Sequence, residues 1–429
     1  MKTVKLDAGS REELLVKLLK RSPSQYTEYE QKVADIIENI RIGKDKALFD
    51  YTKKFDKCEL DASNVEVTEE EFKKAYETID PELIATIRRS AANIREFHEK
   101  QKQRSWFDTK PDGSFLGQKI TPIEKVGVYV PGGSAALASS VLMNIIPAKV
   151  AGVSQINMCT PPSADGSVYN ATLVAAKEAG ADRVFKAGGA QAIAAMAYGT
   201  ESIPKVDKIV GPGNIYVALA KKRVYGNVGI DSIAGPSEIL VLADETANPR
   251  YVAADLLSQA EHDPLASAIL ITTSAELAGK VEKEVERFTQ ELERKAIIGQ
   301  SLENYGYILI ADTMKEALDA VNEIASEHLE VLTKDPFATL TGIKNAGAIF
   351  LGQYSSEPLG DYFAGPNHIL PTNGTARFFS PLSVDDFIKK SSVIYYTRDA
   401  LEAVHEDIER FAKAEGLTAH ANSVAVRFE

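Results

Sequence analysis

Residues 1–107 alternate charged and apolar positions at helical spacing, which predicts a mostly helical segment. One apolar stripe within this segment recurs every three or four positions, so its members are predicted to share a helix face. They are Leu83, Ile87, Ala91, Ile94 and Phe97. From Lys119 onward the pattern changes to short β-branched runs followed by glycine-rich turns and helical stretches. That alternation is typical of strand–helix units and predicts a parallel sheet.

Three strand-to-helix junctions in the central part of the chain resemble one another. They are the segments 127–133, 184–189 and 209–214. Such a corner exposes backbone N–H groups at the start of a helix, which suits an anion such as a pyrophosphate. None of them carries the full G-x-G-x-x-G fingerprint, and the Walker lysine motif is absent from the sequence. A tight turn without a ligand is therefore the alternative for any one corner.

A second group of strand–helix units is predicted downstream of these corners. Its strands are expected at 238–243, 268–272 and 307–310, and its helices at 249–261 and 313–327. The chain is therefore expected to contain two sheets.

Residues 353–382 interrupt this alternation with scattered glycines and prolines. An irregular segment longer than about 15 residues is usually functional or disordered, and its aromatic residues argue against disorder. We interpret it as a loop of the functional site. The tail repeats apolar residues at positions 401, 404, 408 and 411, which predicts a helix over 398–415 that stops at Gly416.

The composition excludes several classes of protein. The 429 residues carry a net charge of −12, which repels polyphosphate, so nucleic acid is not expected as a partner. The segment 1–20 lacks an apolar core of signal-peptide length, and no apolar run reaches the roughly 18–20 residues of a membrane helix. We therefore expect a soluble protein of two or three domains without a membrane partner.

The two cysteines, Cys58 and Cys159, lack the spacing of a metal finger and can form at most one disulfide. This usage predicts a reduced, cytoplasmic protein. A metal site would then be built from nitrogen and oxygen ligands. Cys159 follows a strand-like run and is a candidate nucleophile toward an aldehyde, with a buried and inert thiol as the alternative.

Two of the six histidines end helix-like segments beside other chemically competent side chains. Gln259 and His262 are three residues apart and would share a helix face, so they can offer an amide oxygen and an imidazole nitrogen to one ligand. Glu327 and His328 supply a carboxylate and a base at adjacent positions. A helix cap is the alternative for His262, and a solvated helix end is the alternative for the second pair.

The other candidates also have structural explanations. Asp361 follows a glycine and could cap a turn, and His368 could close one. His98 and His405 lie on charged helical faces, and we assign them no function. His420 follows the last predicted helix.

An ordered series of motifs runs along nearly the whole chain. The motifs are Gly-Val-Tyr129-Val-Pro-Gly-Gly-Ser, Ala-Gly-Gly-Ala-Gln191-Ala, Val-Gly-Pro-Gly-Asn214, Ala-Gly-Pro-Ser237-Glu-Ile-Leu, Ser-Gln259-Ala-Glu-His262-Asp-Pro, Ser-Glu327-His328-Leu-Glu, Gly-Asp361-Tyr and Gly-Pro-Asn-His368-Ile-Leu-Pro-Thr. Together they resemble the histidinol dehydrogenase family. The resemblance is closest over residues 119–380 and around 415–420, and no functional position departs from the family pattern.

The resemblance implies an enzyme that oxidises L-histidinol through L-histidinal to L-histidine and reduces two molecules of NAD, with one Zn²⁺ per subunit. The implied zinc ligands are Gln259, His262, Asp361 and His420. The implied substrate contacts are Ser237, Gln259, His262, His328, Asp361, Glu415 and His420. The implied NAD contacts are Tyr129, Gln191 and Asn214, and the implied acid–base pair is Glu327 and His328.

The acid–base pair suits the two steps of this reaction. Oxidation of an alcohol requires removal of its hydroxyl proton, and a histidine with an ordinary pKa of about 6.5 can accept it, so His328 is the expected first base. Addition of water to an aldehyde requires a carboxylate that deprotonates or orients the water, and Glu327 is expected to supply it. The resemblance also implies a homodimer with shared active sites, in which Glu415 and His420 reach the site of the partner subunit.

The resemblance further implies two Rossmann-like, parallel-sheet α/β domains of the aldehyde dehydrogenase type, with small terminal extensions. Residues 1–25 would form an N-terminal helical extension. Residues 26–129 and 238–382 would form the domain that carries the metal and the catalytic residues, and residues 130–237 would form the NAD-binding domain. Residues 383–429 would form a C-terminal helical tail.

Three other functions fit part of these observations. An aldehyde dehydrogenase could act through Cys159. A hydrolase could use the same metal ligands to activate water, with the glycine corners as structural turns. A zinc-dependent binding protein for imidazole compounds would bind histidinol and produce no NADH.

Overall fold

Two parallel β-sheets contain most of the buried strand residues of the chain. The structure, a computed structural model, describes residues 1–19, 27–132 and 137–429. The described strands are β1 (Lys2–Lys5), β2 (Trp106–Thr109), β3 (Phe115–Pro122), β4 (Lys125–Tyr129), β5 (Gln155–Thr160), β6 (Arg183–Lys186), β7 (Lys208–Val210), β8 (Gly229–Ile230), β9 (Glu238–Ala243), β10 (Ser267–Thr272), β11 (Gly306–Ile310), β12 (His328–Leu332), β13 (Ala348–Leu351) and β14 (Ile388–Tyr395).

The described α-helices lie mostly between these strands along the chain. They are α1 (Ala8–Leu19), α2 (Thr27–Phe55), α3 (Glu69–Thr78), α4 (Pro81–Glu99), α5 (Ala138–Ala151), α6 (Asn170–Ala179), α7 (Gly189–Tyr198), α8 (Ile215–Val224), α9 (Pro249–Ala260), α10 (Ala275–Glu291), α11 (Lys295–Tyr305), α12 (Met314–Ile324), α13 (Pro336–Leu340), α14 (Glu357–Tyr362), α15 (Arg398–Glu402), α16 (His405–Ala414) and α17 (Thr418–Ala425). Among the described helices, none is long and apolar enough to cross a membrane.

The first sheet contains six parallel strands in the order β1-β11-β10-β9-β12-β13. Its central strands β9 and β10 read Glu-Ile-Leu-Val-Leu-Ala and Ser-Ala-Ile-Leu-Ile-Thr, and every residue in them is buried. Such runs suit strands that are covered by helices on both faces, because no side chain then points to water. The strands expected at 238–243, 268–272 and 307–310 are therefore confirmed.

Helices cover both faces of this six-stranded sheet. On one face, Val241 and Leu270 lie in a cluster with residues of α9, α10 and α11. On the other face, Leu240 and Ile271 lie in a cluster with residues of α1 and α12. Successive strand residues thus enter opposite cores, as the alternation of side chains along a strand requires.

The second sheet contains five parallel strands in the order β6-β5-β4-β7-β8. The glycine corners that end at Gly189 and Asn214 each lead from one of its strands into a helix, as predicted. The remaining corner starts in β4, and its last residue, Gly133, lies outside the described residues. The predicted fold class, α/β with two parallel sheets, is confirmed.

Helices α2, α3 and α4 pack against the five-stranded sheet, and β4 is one of its strands. The division expected from the sequence instead assigned residues 26–129 to the domain of the other sheet. The apolar helix faces explain the difference. Ile36 and Ile40 of α2 lie in one core with α7 and α8, whereas Ile87 and Ile94 of α4 lie in another core with α5 and α6.

The N-terminus begins with a strand and not with the predicted helix. β1 extends the six-stranded sheet by pairing with β11, with Lys2 opposite Tyr307. Its sequence, Lys-Thr-Val-Lys, lacks an apolar alternation because the strand lies at the sheet edge and is mostly exposed. The helical extension expected over 1–25 is therefore wrong for its first residues, and residues 20–26 lie outside the described part of the chain.

The apolar stripe predicted for the N-terminal segment is confirmed in part by α4. Ile87 and Ile94 are buried, but Leu83 is 41% exposed. The buried face starts one residue later, at Ile84, and continues to His98. The expectation that His98 lies on a charged face is therefore wrong. Its side chain is fully buried, its Nδ1 lies 2.8 Å from the backbone oxygen of Ile94, and burial lowers its pKa.

Lys102–Pro122 and Ile388–Glu429 form a unit of their own, distinct from the unit that contains both parallel sheets. This second unit contains an antiparallel sheet in the order β14-β3-β2 and the helices α15, α16 and α17. The tail expected to be helical over 383–429 therefore includes a strand. That expectation is wrong because the eight residues of β14 pair with β3, which lies far away in the sequence.

The tail helix predicted over 398–415 is divided into α15 and α16. α16 ends at Ala414, and Gly416 has a φ of 73°, a left-handed conformation that suits glycine after a helix. The predicted stop at Gly416 is confirmed.

Candidate functional site

Glu327 and His328 lie where the chain enters β12. Helix α12 ends at Ile324, and Ala325 has a left-handed φ of 51° that turns the chain out of the helix. Glu327 then precedes β12, and His328 is its first residue. The expectation that this pair ends a helix is wrong, because the helix predicted over 313–327 stops before it.

Hydrogen bonding determines which nitrogen of the buried His328 side chain is available to a ligand. Nδ1 lies 3.0 Å from the backbone oxygen of Glu238. Because a carbonyl oxygen only accepts, Nδ1 carries the proton of this hydrogen bond. Nε2 has no hydrogen-bond partner among the described residues, and it lies 3.9 Å from Glu357 Oε1 and 3.8 Å from Asp361 Oδ1. Nε2 is therefore the nitrogen that can exchange a proton with a ligand.

Three carboxylates surround the imidazole of His328. Burial by itself would lower its pKa, but the charges of Glu327, Asp361 and Glu357 raise the pKa to about 9. Burial raises the pKa of Glu327 to about 7, against the opposing effect of His328. Glu327 Oε2 accepts a hydrogen bond of 2.9 Å from the Glu238 amide and lies 3.6 Å from His328 Nδ1. The pair is thus held together with pKa values suited to proton transfer.

Asp361 lies on α14, inside the segment 353–382 that the sequence predicted to belong to the site. Its Oδ1 is 3.8 Å from His328 Nε2 and 3.5 Å from His368 Nδ1. Burial would raise the pKa of Asp361, but the two neighbouring histidines lower the pKa well below its usual range. His368 thus contacts the site, with Nδ1 also 3.1 Å from the Asp361 backbone oxygen and Nε2 3.2 Å from Ser140 Oγ.

Gln259 and His262 lie at the end of α9. The helix ends at Ala260, and the His262 amide donates to the Gln259 carbonyl over 3.1 Å. The expected shared helix face is therefore wrong, because His262 belongs to the turn after the helix. Gln259 Oε1 is buried and has no hydrogen-bond partner among the described residues. Burial lowers the pKa of His262. The charge of Asp361 opposes this effect, and the charge of His328 adds to it.

We did not predict Glu357 from the sequence, although it joins this cluster. It begins α14 four residues before Asp361, so the two carboxylates share a helix face. Ligand atoms of His328, Glu357 and Asp361 lie within 4.8 Å of one another. Ser258 Oγ donates to Glu357 Oε2 over 3.1 Å, whereas Oε1 has no partner among the described residues. The spacing of two acidic residues by four was the signal that could have revealed it.

Three of the ligands expected from the sequence carry donors that fit a divalent metal ion. Gln259 offers an amide oxygen without a partner, His262 a neutral imidazole, and Asp361 a carboxylate whose lowered pKa keeps it ionised. Nitrogen and oxygen ligands of these kinds bind zinc and also other first-row metals.

Three further residues were expected to contact the substrate, namely Ser237, Glu415 and His420. Ser237 is half-buried and directly precedes Glu238, whose backbone holds both members of the acid–base pair. Glu415 and His420 belong to the second unit, at the end of α16 and in α17, where both are exposed. A contribution of these two residues to the partner's site therefore stays a prediction.

A second candidate site lies at the carboxyl ends of the strands of the five-stranded sheet. A cavity of about 1040 Å³ is lined there by the three residues expected to contact NAD, which are Tyr129, Gln191 and Asn214. Parallel α/β sheets bind their ligands at this edge. Tyr129 Oη accepts a hydrogen bond of 3.0 Å from the Gly189 amide at the start of α7. Asn214 Oδ1 accepts from two backbone amides and so caps α8.

Buried groups hold the corner that precedes Asn214. Gly211 has a φ of 114°, and a Cβ at this position would collide with the Tyr129 backbone oxygen. Its amide donates to Asp231 Oδ2 over 2.8 Å, and its carbonyl accepts from Lys221 Nζ over 2.9 Å. Lys221 and Asp231 also form a buried ion pair. Close approach requires glycine here, and the ion pair fixes the loop that carries Asn214.

Both cysteines are free and buried, Cys58 between α2 and α3 and Cys159 in β5. Burial raises the pKa of the Cys159 thiol far above its usual value. A nucleophilic cysteine needs the opposite shift, because the thiolate is the reactive form. The structure therefore favours an inert thiol over the aldehyde dehydrogenase alternative.

Comparisons with known proteins agree with the sequence motifs. Residues 19–428 match a family model described as histidinol dehydrogenase. The histidinol dehydrogenase of Clostridium acetobutylicum is 56% identical over 412 residues, which cover 96% of this chain and 95% of that protein. The histidinol dehydrogenase of Bacillus subtilis is 57% identical over 410 residues, which cover 95% of this chain and 96% of that protein. The crystal structure of histidinol dehydrogenase from Elizabethkingia anophelis is 41% identical, with a TM-score of 0.94, and the match covers 100% of this chain and 98% of that chain.

Proposed function

This chain belongs to the histidinol dehydrogenase family, and from that premise we propose that it oxidises L-histidinol through L-histidinal to L-histidine with a bound zinc ion and two molecules of NAD. The observation that carries the proposal is the buried pair of Glu327 and His328, with Asp361 beside the free imidazole nitrogen. Two groups that transfer protons at one place suit a reaction with two chemically different oxidation steps.

We assign the zinc ion to Gln259, His262 and Asp361 of one subunit and to His420 of the partner subunit. The unpartnered Gln259 oxygen, the lowered pKa of His262 and the lowered pKa of Asp361 support this ligand set. When bound, the ion would hold and orient the amino alcohol for hydride transfer. The homodimer with shared active sites is part of this proposal.

The same groups would contact L-histidinol, together with Ser237, His328 and Glu415 of the partner subunit. The substrate brings an amine, a hydroxyl group and an imidazole N–H, all of which donate hydrogen bonds. The acceptors of the cluster suit these donors. Glu357 Oε1, buried without a partner among the described residues, is an additional acceptor that we include in the substrate site.

We place NAD in the cavity of the five-stranded sheet, in contact with Tyr129, Gln191 and Asn214. The starts of α7 and α8 lie at this cavity, and helix N-termini favour the pyrophosphate of a dinucleotide. Lys32 and Lys54 also line the cavity and suit its negative charge. NAD supplies the hydride acceptor for each oxidation. In this proposal the five-stranded sheet forms the NAD-binding domain, and the six-stranded sheet carries the metal and the catalytic residues.

His328 acts as the base of the first oxidation. Its Nδ1 is engaged by the Glu238 carbonyl, so Nε2 takes the proton from the substrate hydroxyl as the hydride leaves the carbinol carbon. The carboxylates around the ring raise the pKa of His328 to about 9, so the neutral imidazole is a strong base and is the main form of the ring only above about pH 9.

Glu327 acts in the second oxidation, in which water adds to the aldehyde. The Glu238 amide holds its Oε2, which leaves Oε1 to orient and deprotonate the water. Because burial raises the pKa of Glu327 to about 7, its carboxylate is a stronger base than an exposed one. The hydrated carbon then loses its hydride, and the product is the carboxylate of L-histidine.

The test of this function is the number of NADH molecules formed per L-histidinol consumed. The protein would first be stripped with a chelator and then resupplied either with zinc or, as a control, with magnesium. We expect two NADH per histidinol, lost on stripping and restored by zinc, because nitrogen ligands favour zinc over magnesium.

No NADH in any of these states would overturn the proposed function. Turnover of an ester or amide without NAD would then favour the hydrolase alternative. Binding of L-histidinol without oxidation would favour the binding protein.

A further inference from the structure

The wall of the NAD cavity contains a buried carboxylate oxygen that the assigned contacts do not explain. Asp56 follows Phe55, the last residue of α2, and lines the cavity together with Tyr129. Its Oδ2 is buried and has no hydrogen-bond partner among the described residues. Burial raises the pKa of Tyr129, and the charge of Asp56 adds to this effect.

An unpaired carboxylate inside a protein is costly, because it loses its hydration without gaining hydrogen bonds. Burial raises the pKa of Asp56 to about 6, so the group is mostly ionised at neutral pH. An ionised carboxylate only accepts hydrogen bonds. A ligand that satisfies Asp56 must therefore bring donors.

A second acidic residue of the same wall is different. Asp35 also lines the cavity, but its side chain is exposed and its Oδ1 accepts a hydrogen bond of 2.7 Å from Gln31. The buried, unpartnered oxygen is thus a property of Asp56 and not of carboxylates in this wall generally.

The neighbours of Asp56 suit the adenosine half of a dinucleotide. Phe55 stacks on Tyr51, with the ring centroids 5.6 Å apart and an interplanar angle of 12°, and both rings line the cavity. Phe55 is 48% exposed, so it can offer an aromatic face to a nucleobase. Lys54 lines the cavity on the same segment and suits a phosphate. Between the base and the phosphate of a nucleotide lies a ribose, whose hydroxyl groups are donors.

We propose that Asp56 accepts hydrogen bonds from the ribose hydroxyl groups of the adenosine half of NAD and thereby selects NAD over its 2′-phosphorylated form, NADP. The assignment rests on the proposed function, since it requires NAD in this cavity. A 2′-phosphate removes one donor and places its negative charge against the carboxylate, so both effects disfavour NADP.

Equilibrium binding tests the proposal without depending on turnover. The Kd values of NAD and NADP would be measured by calorimetry on the zinc-loaded, full-length protein and on its Asp56→Asn and Asp56→Ala variants. We expect both variants to bind NAD about 10-fold more weakly or worse, because a hydrogen bond to a charged group is lost. We also expect the preference for NAD over NADP to fall at least about 10-fold, because the repulsion is removed.

Thermal unfolding without nucleotide separates a ligand contact from a structural role. Removing an unpaired buried charge relieves strain in the free protein, so Asp56→Asn should keep or raise the Tm. Asp50→Asn is the matched control, since it removes the same charge from an exposed position of α2 that does not line the cavity. It should change neither the Kd values nor the preference between the nucleotides.

Each result has one meaning. Weaker NAD binding with a reduced preference and an unchanged or higher Tm supports the assignment. Kd values within about 2-fold of the wild type, or weaker binding accompanied by a lower Tm, overturn it. If the wild-type protein binds no NAD, the proposed function is overturned as well. If the wild type binds NAD and the Asp56→Asn variant binds it equally well, only this assignment is overturned.

Discussion

His328 combines two properties that follow from its contacts. The Glu238 carbonyl fixes the tautomer, and three carboxylates favour the imidazolium form. Glu327 is held by the same backbone segment through the Glu238 amide. A single strand residue thus positions both groups of the acid–base pair, so each can be removed by mutation without displacing the other.

We expect His328→Ala and Glu327→Gln to impair different steps. His328→Ala should slow oxidation of L-histidinol by about 10²–10⁴-fold, because the base that accepts the hydroxyl proton is lost. Glu327→Gln should act mainly on the conversion of L-histidinal to L-histidine, because the water loses its base. Single-turnover assays that start from each substrate would measure the two steps separately. Equal losses in both steps for both variants would contradict the division of roles.

Asp56 should also affect how stability depends on pH. Burial raises its pKa from 3.8 to about 6, so the folded protein binds this proton more tightly than the unfolded chain does. Its contribution to stability is therefore full below about pH 4 and is lost as the pH rises through about 6. The Asp56→Asn variant has no carboxyl group at this position, so it does not lose this stability as the pH rises. Relative to the wild type, the variant should gain about 1–2 kcal/mol between pH 4 and pH 7, a value reduced for partial exposure.

Thermal unfolding of the nucleotide-free protein at pH 4.5, 5.5 and 7 would measure this gain. The difference in Tm between Asp56→Asn and the wild type should grow with pH. The Asp50→Asn control should show a difference that is independent of pH over this range. A constant difference for Asp56→Asn would show that the Asp56 carboxyl has an ordinary pKa in the folded protein.

Single residues differ in how far the sequence could predict their surroundings. The motifs placed His328 and Asp361 among the candidates, and the structure brings them to 3.8 Å. Glu357 and Asp56 were not predicted, because burial and the lack of a partner arise only when distant segments meet. His98 was misjudged for the same reason: charged neighbours in sequence do not reveal that its own side chain is on the buried face of α4.

At the scale of elements, the loop between β7 and α8 carries Asn214 of the proposed NAD cavity and is held by several contacts at Gly211. Its Gly211 backbone is bonded to both members of the Lys221–Asp231 pair and touches the backbone at Tyr129. The two strand ends that line the cavity are thereby held together at one point.

Replacing Gly211 by alanine should therefore damage the cavity. The new Cβ would collide with the Tyr129 carbonyl at an unfavourable positive φ, so we expect a loss of more than about 2 kcal/mol of stability and NAD binding weakened at least about 10-fold. Gly226→Ala is the control, because Gly226 has a φ of 100° but no atom within 4 Å of the added Cβ. The control should lose some stability and keep its affinity for NAD. Equal Kd values for the two variants would contradict the role of close approach.

Elements were predictable where their patterns are complete. The buried runs of β9 and β10 could be found because every residue apart from Glu238 is apolar or small, and the glycine corners because glycine marks the turns. β1 and β14 were missed, since both are mostly exposed strands that depend on a distant partner. The helix before Glu327 was predicted to be too long, because no sequence pattern indicates the left-handed conformation of Ala325.

At the scale of the whole molecule, the proposed sharing of active sites between subunits makes a quantitative prediction. His262→Ala and His420→Ala chains should each be nearly inactive, because each lacks a metal ligand. In a randomly mixed population, half of the dimers would contain one chain of each kind, and one of their two sites would be intact. Mixing should therefore restore about one quarter of the wild-type activity.

The control for this experiment pairs two mutations from the same half of the proposed site. Chains with His262→Ala and chains with Asp361→Ala leave no intact site in any combination and should show no rescue. Activity would be measured after subunit exchange at low denaturant. Absence of rescue in the first mixture would show that each site is built within one chain.

The division of the chain among sheets was the least predictable property of the molecule. Within residues 26–129, helices α2, α3 and α4 were assigned to the other sheet, because an amphipathic helix shows that it has a buried face but not which core receives it. Likewise, exposed Glu415 and His420 could be linked to a site only through the family resemblance.

Because both cysteines are buried, a thiol reagent can label them only when the structure around them opens. Cys58 and Cys159 lie in the part of the chain that packs around the five-stranded sheet, and the sequence contains no other thiol. The single tryptophan, Trp106, lies in β2 of the second unit. Thiol-labelling rates and tryptophan fluorescence therefore report on two different parts of the native protein, so the order in which the two units unfold can be timed without introducing any probe.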